Sequence, residues 1–137
     1  MTAKGPSYKP DGYHTVTPYL TIHNVPAVLE FVKKAFGAAE HFNAVDGSGK
    51  TVHAEVTIGD SRVMMGEAGG EWKARPGTLY IYVEDTDAIY KRAIEAGGKS
   101  VREPADQSYG DRNAGVEDPS GNQWWIATHV KDVTTDH

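Results

Sequence analysis

His53 and Glu55 are the two residues of this chain whose types and spacing best suit chemistry. On an extended segment, positions i and i+2 leave the same face. A carboxylate beside an imidazole there would raise the histidine pKa and form an acid–base pair. The same two side chains could also begin a relocated metal site, which would need at least one further ligand. The plainer account is a polar strand face at a wet pocket floor. Tyr19, Tyr80, Tyr82 and Trp125, with Met64 or Met65, could wall a cavity for a flat or apolar ligand, the phenol hydroxyls giving orientation. Aromatic residues on strands serve packing or a subunit contact equally well. In Tyr109-Gly110-Asp111-Arg112, Asp111 and Arg112 read either as a structural ion pair or as a gate for an anionic ligand. Arg112 is therefore counted among the ligand-binding candidates. His23 reads as a local hydrogen-bond partner and His129 as a cap on the last strand, whereas His14, His41 and His137 carry no assignment.

The elements that must position these residues follow from periodicity. Residues 1 to about 14 lack it and read as a mobile arm. Thr15 to His23 alternates as a strand, with Pro18 favouring a sheet edge or a strand start. Asn24 is a candidate N-cap, Pro26 fits the first turn, and Val28, Leu29, Phe31, Val32, Ala35 and Phe36 give a helix its apolar face up to Gly37. Strands are predicted at about 39–46, 51–58 and 61–67. The pattern then restarts, with a strand over 78–83 and a helix capped by Thr86 or Asp87 and ended by Gly97-Gly98. Strands at about 99–104, 112–117 and 123–129 follow. The β-α-β-β-β order thus occurs twice, about 15–68 and about 78–130, within one domain spanning 15–137. The predicted class is α+β, with paired βαβββ modules forming curled mixed sheets around a shared concavity and the helices outside.

Leu20 and Ile22, Leu79 and Ile81, and Trp124 and Ile126 set the helix-facing phase. The concave face then takes Thr17, Tyr19, Thr21 and His23; His53, Glu55 and Thr57; Thr78, Tyr80 and Tyr82; and Gln123, Trp125, Ala127 and His129. The fourth strand admits either phase, because Val63, Met64 and Met65 are all apolar.

Composition removes several classes of function. Fourteen basic and nineteen acidic residues give a net charge of −5 without a basic run, which argues against nucleic-acid or anionic-membrane surfaces. There is no cysteine, so disulfides, thiolate metal sites and a cysteine nucleophile are excluded. The polar N-terminus and short apolar runs predict a soluble, cytoplasmic protein.

Val116-Glu117-Asp118-Pro119-Ser120-Gly121-Asn122-Gln123-Trp124-Trp125-Ile126-Ala127 contains a proline-preset turn between Val-, Trp- and Ile-rich runs, and a second Val-Glu-Asp stands at 83–85. With Tyr109-Gly110-Asp111-Arg112, these strings resemble the vicinal oxygen chelate superfamily of glyoxalase I, bleomycin-resistance proteins and extradiol dioxygenases. Within it they look most like the PhnB-type branch, also described as demethylubiquinone-methyltransferase-like, although no glycine-rich methyl-donor loop is present. The resemblance implies metal ligands at four points, which fall here on Thr17, Met64 or Met65, Thr78 and Trp125. None of these suits a hard divalent cation. The expectation is a metal-independent, homodimeric small-molecule binding protein with an aromatic cleft and no cofactor. The alternative is a glyoxalase- or dioxygenase-like lyase or oxidoreductase built on His53 and Glu55, the one reading that calls for a divalent metal.

Overall fold

The structure, a computed structural model, describes residues 7–133; the first six residues of the expected arm and His137 lie outside them. The elements are β1 (Tyr19–Ile22), α1 (Val25–Phe36), β2 (Ala39–Val45), β3 (Thr51–Ile58), β4 (Ser61–Glu67), β5 (Thr78–Tyr82), α2 (Thr86–Glu95), β6 (Lys99–Asp106), β7 (Asp111–Glu117) and β8 (Gln123–His129). Each βαβββ unit builds its own four-stranded sheet, ordered β1-β4-β3-β2 and β5-β8-β7-β6. In both, the first strand runs parallel to the last and the remaining pairs are antiparallel.

Three boundaries differ from the sequence reading, each for a local reason. The first strand begins at Tyr19 instead of Thr15, because Pro18 has no amide to donate and contributes only its carbonyl, which accepts from the Met64 amide at 2.9 Å. Asp85 caps α2 through its carboxylate, which takes the Ala88 amide at 3.1 Å. Thr86 is thereby released to bond Thr128 Oγ1 and the Arg112 carbonyl. The sixth strand continues to Asp106 through a register shift between Arg102 and Ala105 that accommodates Pro104 on a sheet edge.

One helix covers one face of each sheet, and the two helices touch one another. Val25, Val28, Leu29, Phe31, Val32 and Ala35 are the buried stripe of α1. They meet Leu20, Ile22, Ala54, Val56, Val63 and Met65 from the first sheet and Trp124 and Ile126 from the second, in one core. Burying a large apolar side chain contributes about 1.5–3 kcal/mol, so this stripe is the main reason the helices stay in place. The expected strong curl is overturned: neither sheet closes or curls strongly. Each four-stranded sheet keeps two unpaired edge strands, β1 and β2 in one and β5 and β6 in the other. β1 and β5 both remain sheet edges, with only an isolated bridge between Thr21 and Arg75 beside them.

The Asp-Pro-Ser-Gly turn is held by the Asp118 carboxylate. It accepts from the Ser120 and Asn122 amides at 2.9 and 3.1 Å, and from Asn122 Nδ2 and Trp124 Nε1 at 2.8 Å each. Asn122 and Trp124 are fully buried, so losing their acceptor strands two donors away from water. Asp118→Ala is expected to destabilise the fold by about 3 kcal/mol, and Asp118→Asn by less. Urea unfolding measures both, and equal stability of wild type and Asp118→Ala would contradict this account.

Candidate functional site

The uncovered face of the first sheet carries Tyr19, His53, Glu55 and Met64. Register places Tyr19 and Glu55 on either side of Met64, which resolves the ambiguous fourth strand: Met64 faces outward and Met65 is fully buried under α1. Glu55 Oε2 lies 2.8 Å from His53 Nε2, and Glu55 also accepts from the Tyr13 hydroxyl. The Tyr13 bond, ahead of opposing burial and the His53 contact, holds the Glu55 carboxyl below the usual range. Tyr13 itself is pushed up, first by that bond. With Nε2–H committed to a carboxylate, a neutral His53 turns Nδ1 to the Tyr19 hydroxyl, 3.4 Å away. Residues 7–14 thus reach the sheet through Tyr13, whose ring lies under Arg62, while the Gly12 carbonyl accepts from Arg62 Nε at 3.3 Å.

The uncovered face of the second sheet presents Tyr80, Tyr82 and Trp125. The two tyrosine rings stand edge to face with centroids 5.4 Å apart. Both hydroxyls donate to Asp111 Oδ2, at 2.6 and 3.2 Å, and His129 Nδ1 lies 2.8 Å from Oδ1. Asn113 Nδ2 donates to Tyr80 and Tyr109. Asp111 is only 4% exposed, yet these partners, the Tyr80 hydroxyl foremost, lower its pKa. Burial first and the Asp111 bond second push Tyr80 and Tyr82 upward, so both keep their protons. Trp125 lies over Gly115, where an added Cβ would come within 2.8 Å of the ring, and the Arg102 guanidinium stacks on it at 4.8 Å. Gly66 gives Tyr19 the same clearance on the first sheet.

Arg112 is not in this company. Adjacent strand residues face opposite ways, so Arg112 points to the α2 side, where it holds Asp87 through two nitrogens at 2.9 and 3.1 Å and Asp106 at 3.3 Å. It forms no pair with Asp111 and does not line the aromatic face. Asn113 and Tyr109 have no site role in the sequence reading, which puts His129 on the concave face and pairs Asp111 with Arg112 instead of with the two tyrosines. The alternation of Ala114 and Val116 against Asp111, Asn113 and Gly115 was the available signal.

Three neighbouring cavities open beside the edge strands β1 and β5. One of about 350 Å3 is lined by Tyr19, Thr21, His53, Gly66, Glu67 and Trp72. A second, about 310 Å3, lies between Tyr19 and Tyr80. A third, about 480 Å3, lies on the helix-facing side of β5, lined by Phe36, Leu79, Ile81, Ile89 and Trp124, and touches the strand at Tyr80 and Tyr82, whose hydroxyls turn to Asp111 on the other face. Tyr19 and Tyr80 are shared walls, so the three are neighbours. Their sizes fall in the range of small-molecule sites.

At the four positions where a metal centre is implied, the donors are wrong. Thr17 precedes β1 and bonds the His14 carbonyl, Thr78 and Met64 offer a hydroxyl and a thioether, and Trp125 is occupied by Arg102. Both His53 nitrogens already have partners, and among the described residues no group of three or more His, Asp or Glu is placed to hold a metal ion. The residues present do not fit the metal.

Two open sheets of βαβββ order, each covered by one helix and meeting at an aromatic junction, define a paired-module protein. Residues 13–126 match the Glyoxalase/Bleomycin resistance protein/Dioxygenase superfamily, and the chain belongs to it. An uncharacterized protein of Mycobacterium bovis is 31% identical over 132 residues, covering 88% of this chain and 87% of that protein. A counterpart in Mycobacterium tuberculosis H37Rv is also 31% identical, over 88% of this chain and 78% of its own length. Among solved structures, TioX from Micromonospora sp. ML1 is similar with a TM-score of 0.73 at 21% identity, over 83% of this chain and 97% of that one. A glyoxalase-related enzyme from Fulvimarina pelagi has a TM-score of 0.70 at 19% identity, over 90% and 99%. At these identities the structural likeness concerns the fold.

Two outcomes test the geometry of the second sheet. Gly115→Ala should displace the Trp125 ring, changing the near-UV circular dichroism and lowering stability by about 1–3 kcal/mol. His129 is held above its ordinary value of 6.5 by Asp132 first and Asp111 second. A raised pKa means that its contribution is full below about pH 6.5 and fades as pH rises through the folded value. His129→Ala should therefore lose more stability at pH 5.5 than at pH 9 by urea denaturation; a deficit that grew with pH would reverse the assignment.

Proposed function

We propose that this chain is a metal-independent small-molecule binding protein of the glyoxalase/bleomycin-resistance type, holding its ligand in the aromatic cleft between the modules. The observation that carries this reading is the run of three neighbouring cavities walled by Tyr19, Tyr80, Tyr82 and Trp72. Rings of this kind bury large apolar area at small entropic cost, and the hydroxyl network on Asp111 keeps two of them in place before a ligand arrives. The chain is read as belonging to the PhnB-type branch on its Tyr-Gly-Asp-Arg, Val-Glu-Asp-Pro-Ser-Gly-Asn and Trp-Trp-Ile-Ala-Thr-His strings. It is read further as a cytoplasmic homodimer. No described helix is long and apolar enough to cross a membrane.

The Tyr13–Glu55–His53–Tyr19 chain supports a second reading, in which His53 Nδ1 acts as a general base on a bound molecule. Glu55 then holds the tautomer and orients the ring. The two readings separate in a simple pair of measurements. Under the binding reading, nickel, zinc, iron or manganese leaves the melting temperature unchanged, since an ion bound by the folded state would raise it with concentration. Ligands found in a fluorescence screen should lose about tenfold or more in affinity in Tyr19→Ala and Tyr82→Ala and little in His53→Gln. If His53→Gln instead abolishes turnover of a ligand while affinity persists, the enzyme reading replaces it. Light scattering that gave a monomer at micromolar concentration would remove the dimer.

A further inference from the structure

We infer that the ligand class of the aromatic cleft is an organic cation, an ammonium or guanidinium group carried on a small apolar or aromatic body. This rests on the reading of the chain as a small-molecule binding protein and adds the sign of the ligand's charge.

The residues lining the three cavities include Asp60, Glu67 and His53 and no lysine or arginine, the Glu67 carboxylate being taken by the Asn24 and Val25 amides. Three nearby cations are engaged elsewhere, and Arg75, whose backbone amide donates to the Thr21 carbonyl, is not among the lining residues. Lys50 sits 3.7 Å from Glu67, Arg62 stacks on Tyr13, and Arg102 stacks on Trp125. Those two stacks show what the uncovered sheet faces favour: guanidinium over an electron-rich ring. Tyr19, Tyr80 and Tyr82 have no such partner among the described residues, and they are 54%, 43% and 65% exposed.

The tyrosines of the second sheet are also better cation receptors than isolated phenols. Tyr80 and Tyr82 both donate to one buried carboxylate oxygen, Asp111 Oδ2. A phenol that hydrogen-bonds to an anion draws electron density into its ring, which strengthens attraction for a cation over the face. Asp111 stays ionised, because its pKa lies below the usual carboxylate value. An anionic ligand would meet Asp60 and the field of Asp111 with no guanidinium or ammonium among the lining residues to receive it. The net charge of −5 acts in the same direction at long range.

Three probes of one shape and different charge test the inference: benzyltrimethylammonium, benzyl methyl sulfone and phenylmethanesulfonate, titrated calorimetrically into the full chain. The ammonium should bind about tenfold or more tightly than the neutral sulfone, with the sulfonate weakest. Its advantage should shrink as salt is added, because Asp60 is solvent-exposed. Tyr82→Leu and Asp60→Asn, both at exposed positions, should each reduce the ratio of ammonium to sulfone affinity. If the sulfone or the sulfonate binds as tightly as the ammonium, the inference fails while the binding reading stands. If the ammonium is preferred but both variants leave that preference intact, its site lies elsewhere and the inference fails in that form. If none of the three binds at millimolar concentration, both the inference and the reading beneath it are overturned.

Discussion

The buried carboxylate of Asp118 is the interaction on which the rest of this molecule depends. Its four hydrogen bonds pin the turn before β8 and hold the Trp124 indole inside the core. With Trp124 inward, strand parity leaves Trp125 outward, and every other side chain of β8 follows. Asn122, locked to Asp118, turns its own carbonyl oxygen to the Gly77 amide at 2.8 Å, which sets the start of β5. Tyr80 and Tyr82 therefore reach the uncovered face because a carboxylate more than thirty residues further along the chain is satisfied. Ser120 extends the connection to the first module by donating to the His23 carbonyl. A slip of one residue in β8 would expose Trp124 and bury a polar face, a penalty of several kcal/mol that no alternative register recovers.

Much of this was legible in the chain. Alternation in Leu79-Tyr80-Ile81-Tyr82 and in Trp124-Trp125-Ile126 assigns faces with period two, and the apolar stripe from Val25 to Ala35 assigns α1 with period 3.6. Less legible was anything decided by a side chain bonding backbone at a distance. The cap on α2 went to Asp85 because the Thr86 hydroxyl is occupied by Thr128, a residue 42 positions on. Likewise Glu67 at the end of β4 takes the Asn24 and Val25 amides, so the start of α1 is tied to a strand that follows it by more than forty residues. Composition and periodicity carry no record of such contacts.

The site was legible in its aromatic part and obscured in its polar part. Tyr19, His53, Glu55, Tyr80, Tyr82 and Trp125 follow from parity once the helix-facing set is chosen, and the structure puts them on the uncovered faces; Met64 over Met65 is decided only by the register with Tyr19 and Glu55. Arg112 does not join these residues, because parity turns it to the α2 side, where Asp87 and Asp106 hold it. Asp111 and Arg112 are neighbours in the chain and opposites in the sheet. The same parity makes Asp111 a partner of Tyr80 and Tyr82. The expectation of curled sheets rests on each unit having one helix for two sheet faces. Two open sheets whose edge strands β1 and β5 lie along one junction do not wrap; they leave a run of shallow cavities instead.

The two modules repeat more than their element order. Each sets on its uncovered face one carboxylate gripped by tyrosine hydroxyl and imidazole: Glu55 with Tyr13 and His53, and Asp111 with Tyr80, Tyr82 and His129. In both, the charge is stabilised by donors and turned partly inward, not left open to a divalent ion. A carboxylate satisfied in this way gains little from coordination, since a metal would have to displace two or three existing hydrogen bonds before adding its own. What such a carboxylate can still do is hold its donors in place and set the sign of the local field. The result is a pair of rigid, electron-rich aromatic walls on either side of a gap between two sheet edges. That combination suits recognition by ring faces and charge more than chemistry at a metal, and it follows from the same buried anions that hold the walls upright.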